Sequence, residues 1–175
     1  MNIALYGFMG AGKSSLGKAL ADKLGYSFID LDDEIEMHQA MSINDIFAQK
    51  GEIAFRQIEH QVLKEFIRKD EKNLVLALGG GAILAPNNRK LLEIRNYTNI
   101  YINVSIDSLI KRLKTDKDNR PIINELDDDH FDNYIKALFE SRKMTYEKHA
   151  HITVSITKED FNTSLEKIYL HLNLN

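Results

Sequence analysis

The chain has 175 residues, a length typical of one domain with a substantial core, and we expect residues 1–175 to form a single domain. Its 43% hydrophobic and 28% charged residues are typical of an ordinary globular protein, and a net charge of −3 gives no basic field for nucleic acid or an anionic membrane. Cysteine is absent, which excludes disulfides and thiolate metal sites, and no apolar run approaches the roughly 20 residues that cross a bilayer. We therefore expect a cytoplasmic protein, and a monomer because no long exposed apolar stripe demands a partner.

The amino-terminal segment carries a phosphate-binding pattern. Residues 7–14 read GFMGAGKS, which fits G-x-x-x-x-G-K-[ST]. The context fits as well, because a short apolar strand is predicted at residues 3–6 and an amphipathic helix follows until Gly25. Backbone N–H groups of such a loop surround phosphate oxygens, Lys13 supplies charge to the outer phosphates, and the Ser14 hydroxyl is a ligand for Mg²⁺. The predicted ATP-binding residues of this loop are Gly10, Ala11, Gly12, Lys13, Ser14 and Ser15.

Strand and helix patterns alternate along the rest of the chain. Further strands are predicted at residues 27–29, 74–78, 100–104 and 152–156. Helices are predicted around 35–37, from 43 to Gly51, and over 52–68, 86–95 and 106–113, with others from 128 and from 161. This alternation predicts parallel βαβ units, hence an α/β fold: a three-layer α/β/α sandwich with a central five-stranded parallel sheet.

Three finer predictions concern individual helices. Ser105 is predicted to cap the helix that starts at residue 106. Helical spacing predicts that Phe131, Tyr134, Ile135 and Leu138 face the core, and that Phe161 begins the apolar stripe of the last helix. Residues 114–126 are polar and aperiodic, which is typical of a lid.

Carboxylates follow the second predicted strand. Ligands of parallel sheets bind beyond the carboxyl ends of the strands, where Asp30 and Asp32 should lie close to the phosphate loop. Because the strand at 74–78 ends without a carboxylate, Asp30 is the nearest candidate to hold Mg²⁺ with Ser14. Asp32 is either a proton acceptor for an alcohol substrate or a helix cap.

Three arginines and a run of glycines are further candidates. Arg56 either pairs with Glu52 and Glu59 on a solvated helix or binds an anionic ligand. Arg142 continues the apolar face of its helix, so its guanidinium needs a structural carboxylate or an anionic ligand. Arg120, inside the aperiodic stretch, is a lid residue or an exposed loop charge. Gly79, Gly80 and Gly81 end the most buried strand, which favours close approach of a ligand over a simple turn.

Taken together, these motifs resemble the shikimate kinase family over residues 1 to about 150. The resemblance rests on the loop GFMGAGKSS, Asp30-Leu31-Asp32, Ile46-Phe47 with Gly51-Glu52, Phe55-Arg56-x-x-Glu59, the LGGGA segment from Leu78, Arg120-Pro121, and Arg142-x-x-x-Tyr146. It implies a P-loop kinase of the nucleoside monophosphate kinase-like type. It also implies transfer of the ATP γ-phosphoryl group, with one Mg²⁺ ion, to the 3-hydroxyl of shikimate on the route to chorismate and the aromatic amino acids.

Roles for individual residues follow from the resemblance. It implies that Asp30 lies in the water shell of the metal and that Asp32 binds the ring hydroxyls and accepts the proton. Arg56 and Arg142 would hold the shikimate carboxylate, for which forked donors suit better than lysine. A substrate-binding helical region would span about 31–68.

The resemblance also assigns the backbone wall and the lid. Gly79 to Gly81 would form a backbone wall against the substrate, and Arg120 would reach over the ATP phosphates from a lid at about 114–126. Lys114 and Lys158 stand where arginines are expected near adenine, and Met144-Thr145 replace a common Pro-Leu.

Two alternatives remain open from the residues. One is another small P-loop kinase that acts on gluconate or a nucleoside monophosphate. The other is a nucleotide-binding module without transfer activity, which would need no proton acceptor at Asp32.

Overall fold

The computed structural model describes residues 1–69, 71–116, 121–123, 126–156 and 161–173. Its strands are β1 (Asn2–Tyr6), β2 (Ser27–Asp30), β3 (Leu74–Ala77), β4 (Tyr97–Val104) and β5 (Ile152–Ile156). Its helices are α1 (Lys13–Leu24), α2 (Leu31–Gln39), α3 (Ile43–Arg68), α4 (Pro86–Ile94), α5 (Ile106–Thr115), α6 (Asp128–Lys148) and α7 (Phe161–Asn173), with a short 3-10 helix at Ala82–Leu84. Within the described residues no helix is long and apolar enough to cross a membrane.

The five strands form one parallel sheet in the order β2-β3-β1-β4-β5. In this register Asp30 lies opposite Ala77, and Leu5 also lies opposite Ala77 from the other side. The carboxyl ends of β2, β3 and β1 therefore meet at one edge of the sheet. That edge brings together the segments that begin at residues 7, 30 and 79, as the strand pattern predicts.

Helices cover both faces of the sheet and so enclose its central strands. All residues of β1 and β3 are buried, because neither central strand has a face left to water. Helix α1 packs against α7 and the strands β2 and β3, while α3 packs on α4 and α5 on α6. The predicted three-layer α/β/α sandwich with five parallel strands is therefore confirmed.

Helix α3 contains a break that the sequence predicts. Ser42 caps its start, with its hydroxyl accepting from the Asp45 N–H at 3.1 Å. Gly51 then leaves helical geometry with φ 77° and ψ 171°, a left-handed conformation that favours glycine. The two helical segments on either side match the separate helices predicted before and after Gly51.

Two predictions of core residues are wrong. Tyr134 is 37% exposed, and Phe139 at 6% takes the core position instead. Phe161, at the start of α7, is 45% exposed. Ser105 occupies the N-cap position of α5 as predicted, but its hydroxyl donates to the Ser108 hydroxyl at 2.8 Å and caps no backbone N–H.

Candidate functional site

The phosphate-binding loop between β1 and α1 has the left-handed turns that its glycines allow. Gly10 has φ 77° and Gly12 has φ 85°, conformations that are costly for other residues. The Lys13 ammonium lies over the loop and donates to the carbonyls of Gly7 at 3.3 Å and Phe8 at 3.1 Å. The N–H of Ala11 donates to the Phe8 carbonyl at 3.2 Å, so it is engaged within the loop.

A cavity of about 420 Å³ opens beside this loop, and we call it the loop cavity. It is polar, with cations, hydroxyls and carboxylates converging on one space. Its lining residues are Gly10, Gly12, Lys13, Ser14, Ser15, Asp30, Asp32, Asp33, Leu78, Arg112, Leu113 and Asp116. All the predicted ATP-binding residues of the loop except Ala11 line it.

Two oxygen ligands suited to Mg²⁺ meet in the loop cavity. The Ser14 hydroxyl donates to Asp30 Oδ2 at 2.5 Å. Asp30 also caps α2, because its Oδ1 accepts from the Asp32 N–H at 3.0 Å and so holds the carboxylate in place. Among the described residues no group of three or more histidine, cysteine, aspartate or glutamate side chains gathers to hold a metal. A hydroxyl and one carboxylate fit Mg²⁺, which keeps several waters and takes further oxygens from phosphates.

Asp32 is therefore not the helix cap, since Asp30 has that role. The Asp32 side chain lines the loop cavity and also a second cavity of about 320 Å³. We call the second one the arginine cavity; its lining residues are Met9, Asp32, Glu36, Ser42, Ile43, Asn44, Phe47, Phe55, Arg56, Glu59, Gly79, Gly80, Gly81, Pro121, Ile122 and Arg142. A single carboxylate thus borders both spaces.

The glycines after β3 let side chains from distant helices lie against the backbone. A Cβ at Gly81 would lie 2.6 Å from Cζ of Arg56, and a Cβ at Gly79 would lie 2.7 Å from Oδ1 of Asp32. Gly80 is tight as well, since its Cβ would lie 3.3 Å from the Met9 nitrogen. None of the three has a positive φ. Because their φ angles are ordinary, these positions do not need glycine to form a turn. They need it because a Cβ would collide with Arg56, Asp32 or the Met9 backbone.

Arg56 forms both of the ion pairs predicted from its helix, but only one of its two partners is exposed to solvent. Its Nη1 donates to both carboxylate oxygens of Glu59 at 3.0 Å, and its Nη2 lies 3.3 Å from Glu52. The Glu59 side chain is 1% exposed, whereas that of Glu52 is 59% exposed. Arg56 is therefore anchored from inside the protein, with its guanidinium against Gly81 at the cavity wall.

Glu59 is a functional candidate that the sequence presented only as a partner of Arg56. Burial raises the pKa of its carboxyl to about 7. The positive charges of Arg56 and Arg142 act to lower this pKa, and the negative charge of Asp32 acts to raise it. Because the folded pKa lies above the ordinary value of 4.5, the folded protein binds this proton more tightly than the unfolded chain does. The stability that this proton contributes is complete below about pH 4.5 and is lost as the pH rises through about 7.

Arg142 comes from α6 to the opposite side of the arginine cavity. It is 8% exposed, and its guanidinium carbon lies 5.7 Å from the ring centre of Phe8 in the phosphate loop. Its positive charge opposes the rise that burial causes in the pKa of the Glu59 carboxyl and in that of the Tyr146 phenol. The two predicted carboxylate-binding arginines thus lie on one cavity, although 86 positions of the chain separate Arg56 from Arg142.

Helix α5 places a cation beside the phosphate loop. Lys114 pairs with Asp132 at 2.8 Å and does not line the loop cavity, and its predicted place near adenine stays a prediction. Arg112 lines that cavity and donates to the Gly10 carbonyl at 3.1 Å. Two residues are about 200° of helix rotation, so the phase of α5 decides which cation faces the loop.

Some predictions lie beyond the part of the chain that the structure describes. Arg120 and Lys158 are outside the described residues, as are residues 117–119, 124 and 125. The predicted lid at about 114–126 stays a prediction. Of that stretch, Pro121 and Ile122 do line the arginine cavity.

Comparisons with known proteins agree on one family. The profile of the family described as shikimate kinase matches residues 9–173. A shikimate kinase of Macrococcus caseolyticus is 42% identical over 155 residues, 89% of this chain and 87% of that protein. The structure of a shikimate kinase from Acinetobacter baumannii in complex with shikimate superposes with a TM-score of 0.88 at 36% identity, over 99% of this chain and 92% of that one. A shikimate kinase structure from Bacteroides thetaiotaomicron gives a TM-score of 0.87 at 33% identity, over 99% and 98%.

Proposed function

This chain belongs to the shikimate kinase family, and on that premise we propose that it transfers the γ-phosphoryl group of ATP to the 3-hydroxyl of shikimate, giving 3-phosphoshikimate and ADP. The proposal places ATP in the loop cavity and shikimate in the arginine cavity. Its finer expectations, a monomer in the cytoplasm with one Mg²⁺ ion, are part of the proposal.

One observation carries it: Asp32 borders both cavities. Phosphoryl transfer to an alcohol needs a nucleotide site, an acceptor site and a group at their junction that accepts the hydroxyl proton. We assign that role to Asp32, whose backbone is fixed by the bond from its N–H to Asp30.

The loop residues are assigned to the phosphates. The positive charge of Lys13 and the N–H groups at the start of α1 favour negative charge at the outer phosphates. Ser14 and Asp30 would hold Mg²⁺, which when bound neutralises charge that develops on the phosphate oxygens. Arg120 is assigned to the same phosphates by family resemblance.

The arginine cavity supports a compact acid as the acceptor. Arg56 and Arg142 provide forked donors suited to a carboxylate. Phe47 and Phe55 line the apolar side of the cavity, with tilted rings whose centres are 4.6 Å apart. Gly79 to Gly81 offer backbone against which a flat ring can lie.

A coupled ADP-release assay tests the proposal. ATP and Mg²⁺ are combined with shikimate, quinate, gluconate or nucleoside monophosphates, and we expect shikimate to give the largest increase over ATP alone. Gluconate as the best acceptor would favour the other kinase, and no acceptor-dependent release would favour a binding module.

The Asp32→Asn variant tests the proton acceptor. It keeps the size of the side chain, so we expect a folded protein with kcat lower by roughly 10²–10⁴. Circular dichroism and thermal unfolding provide the control for folding. Turnover equal to wild type would remove Asp32 from the mechanism.

A further inference from the structure

Glu36 links the helices α2 and α3 at the edge of the arginine cavity. It lies on α2, one helical turn after Asp32, and its side chain lines that cavity. Its Oε1 accepts from the N–H of Ile43, the first residue of α3, at 2.8 Å. Its backbone carbonyl accepts from the N–H of Met41 at 3.2 Å. One residue of α2 thus bonds both the turn that leaves this helix and the helix that follows.

The turn between the two helices has a conformation that is costly for its sequence. Ala40 ends α2 with φ 49° and ψ 37°, a left-handed conformation that residues with a Cβ rarely adopt. Such a conformation persists only where surrounding contacts compensate for its cost. The bond from the Ile43 N–H to Glu36 spans the turn and is one of these contacts.

The first part of α3 is not held in line by the rest of the helix. Because Gly51 leaves helical geometry, residues 43–50 form a short helical segment between the Ala40 turn and this break. Arg56 lies beyond the break, on the longer part of α3. The short segment contributes three side chains to the lining of the arginine cavity, namely Ile43, Asn44 and Phe47. The place of this wall therefore depends on contacts at the amino end of the segment.

A second link joins the same two helices away from the cavity. Lys50 donates from its ammonium to Oε1 of Gln39 at 3.0 Å. Neither of these two side chains lines the arginine cavity, and Lys50 is exposed. Holding long side chains in one geometry at the surface costs conformational entropy, so this link should contribute little. It offers a matched control for the bond that Glu36 forms.

We propose that Glu36 is a positioning residue for the acceptor, because it fixes the wall of the arginine cavity that the first part of α3 provides. Its carboxylate bonds a backbone N–H, so it fixes the helix itself and not one side chain. A negative charge is also favoured at the amino end of a helix. Displacement of this wall would move Phe47 away from Phe55, whose ring centre lies 4.6 Å from its own. This inference rests on the proposed function, which places the acceptor against that wall.

A direct effect of the Glu36 charge on the acceptor would have the opposite sign. A carboxylate in the cavity wall repels an anionic acceptor, so its removal would lower the KM for shikimate. Loss of a positioning bond raises that KM, because the acceptor must then restore the wall as it binds. The direction of the change therefore separates the two effects.

The kinetic test compares Glu36→Ala with Glu36→Gln and with Gln39→Ala. We expect Glu36→Ala to raise the KM for shikimate about 3- to 20-fold, with kcat and the KM for ATP within about threefold of wild type. Glu36→Gln should recover most of this loss, because its amide oxygen accepts from the same N–H. Gln39→Ala, which removes the link outside the cavity, should leave all three constants within about twofold of wild type.

Amide hydrogen exchange tests the position of the wall without substrate. In Glu36→Ala, residues 41–50 should exchange faster than in wild type, whereas residues 52–68 should not change. Glu36→Gln should exchange like wild type in both segments. Unchanged exchange over 41–50 in Glu36→Ala would overturn the inference. A lower KM for shikimate in either Glu36 variant, or an equal rise in Gln39→Ala, would overturn it as well.

Two further measurements keep the test decisive. If circular dichroism shows that Glu36→Ala does not fold, Glu36→Met takes its place with the same expectations, since it keeps the length of the side chain and removes the carboxylate. Calorimetric binding of shikimate to wild type separates the two proposals. A wild type that neither binds nor phosphorylates shikimate refutes the proposed function and this inference with it. An active wild type with an unaffected Glu36→Ala variant refutes the inference alone.

Discussion

Substitution of Gly81 by alanine would place a methyl group where the Arg56 guanidinium now lies. The new Cβ would be 2.5 Å from Nη2 and 2.6 Å from both Cζ and Nη1 of Arg56. The backbone itself accepts alanine, because Gly81 has φ −107° and ψ −13°. The perturbation therefore acts on one side chain of the arginine cavity and leaves the main chain unstrained.

The size of the effect follows from these distances. Ordinary contact needs about 3.5 Å or more, so the guanidinium must move by about 1 Å, away from both the cavity wall and its 3.0 Å bonds to Glu59. Arg56 is 27% exposed, so its guanidinium has room to shift, but weaker bonds to the buried Glu59 carboxylate should cost some stability. Alanine also lowers the entropy of the unfolded chain, which stabilises by about 0.4–1 kcal/mol. A charged hydrogen bond to the substrate contributes about 1.5–3 kcal/mol, so we expect the KM for shikimate to rise roughly 10- to 100-fold.

Steady-state kinetics and thermal unfolding together provide the assay. Gly25→Ala is the control, because Gly25 has φ 67° and no atom within 4 Å of a built Cβ. That variant should lower the melting temperature and leave the KM for shikimate unchanged, whereas Gly81→Ala should raise this KM. A wild-type KM for shikimate in Gly81→Ala would refute the reasoning. So would a higher KM in both variants, because the rise would then follow from lost stability and not from the position of Arg56.

Three further predictions concern single groups of the site. Gly79→Ala would place its Cβ 2.7 Å from Oδ1 of Asp32, so steady-state kinetics should show a fall mainly in kcat. A change confined to the KM for shikimate would contradict the role of Asp32 as proton acceptor. The pKa of Glu59 is raised from 4.5 to about 7, so the free energy of unfolding of wild type should fall by roughly 3 kcal/mol between about pH 4.5 and 8. Urea unfolding of Glu59→Gln should show no such fall. Parallel pH profiles for the two proteins would show that Glu59 is ionised throughout. Ser14→Ala removes a hydroxyl bonded to Asp30 at 2.5 Å, so the Mg²⁺ concentration for half-maximal rate should rise about 10-fold or more. If this concentration does not change, Ser14 is excluded as a ligand.

The local elements were predictable because their signals lie within a few residues of one another. The apolar run at 74–78 indicates a strand covered on both faces, and every residue of β3 is buried. Gly51 interrupts α3 where the sequence predicts a helix end. This break was predictable because it depends only on the backbone conformation of one glycine. The edge of the sheet that carries the site follows from the parallel order alone.

The sequence by itself also indicated which residues to expect at the site. Resemblance to the family assigned Arg56, Arg142 and Asp32 to one ligand, and the structure brings all three to one cavity. Charge and hydrogen-bonding capacity belong to each side chain by itself, so a sequence motif is enough to indicate them.

Only the tertiary structure decided how that chemistry is supported. On its helix Glu59 is an ordinary partner of Arg56 at i+3, but packing of α2, α3 and α6 buries it and raises the pKa of its carboxyl. The need for glycine at Gly81 comes from a side chain 25 positions earlier in the chain. The Tyr146 hydroxyl reaches the Gly80 carbonyl only when α6 packs behind the glycine wall. Burial and contact depend on what the rest of the chain places around a residue, and no local pattern contains that information.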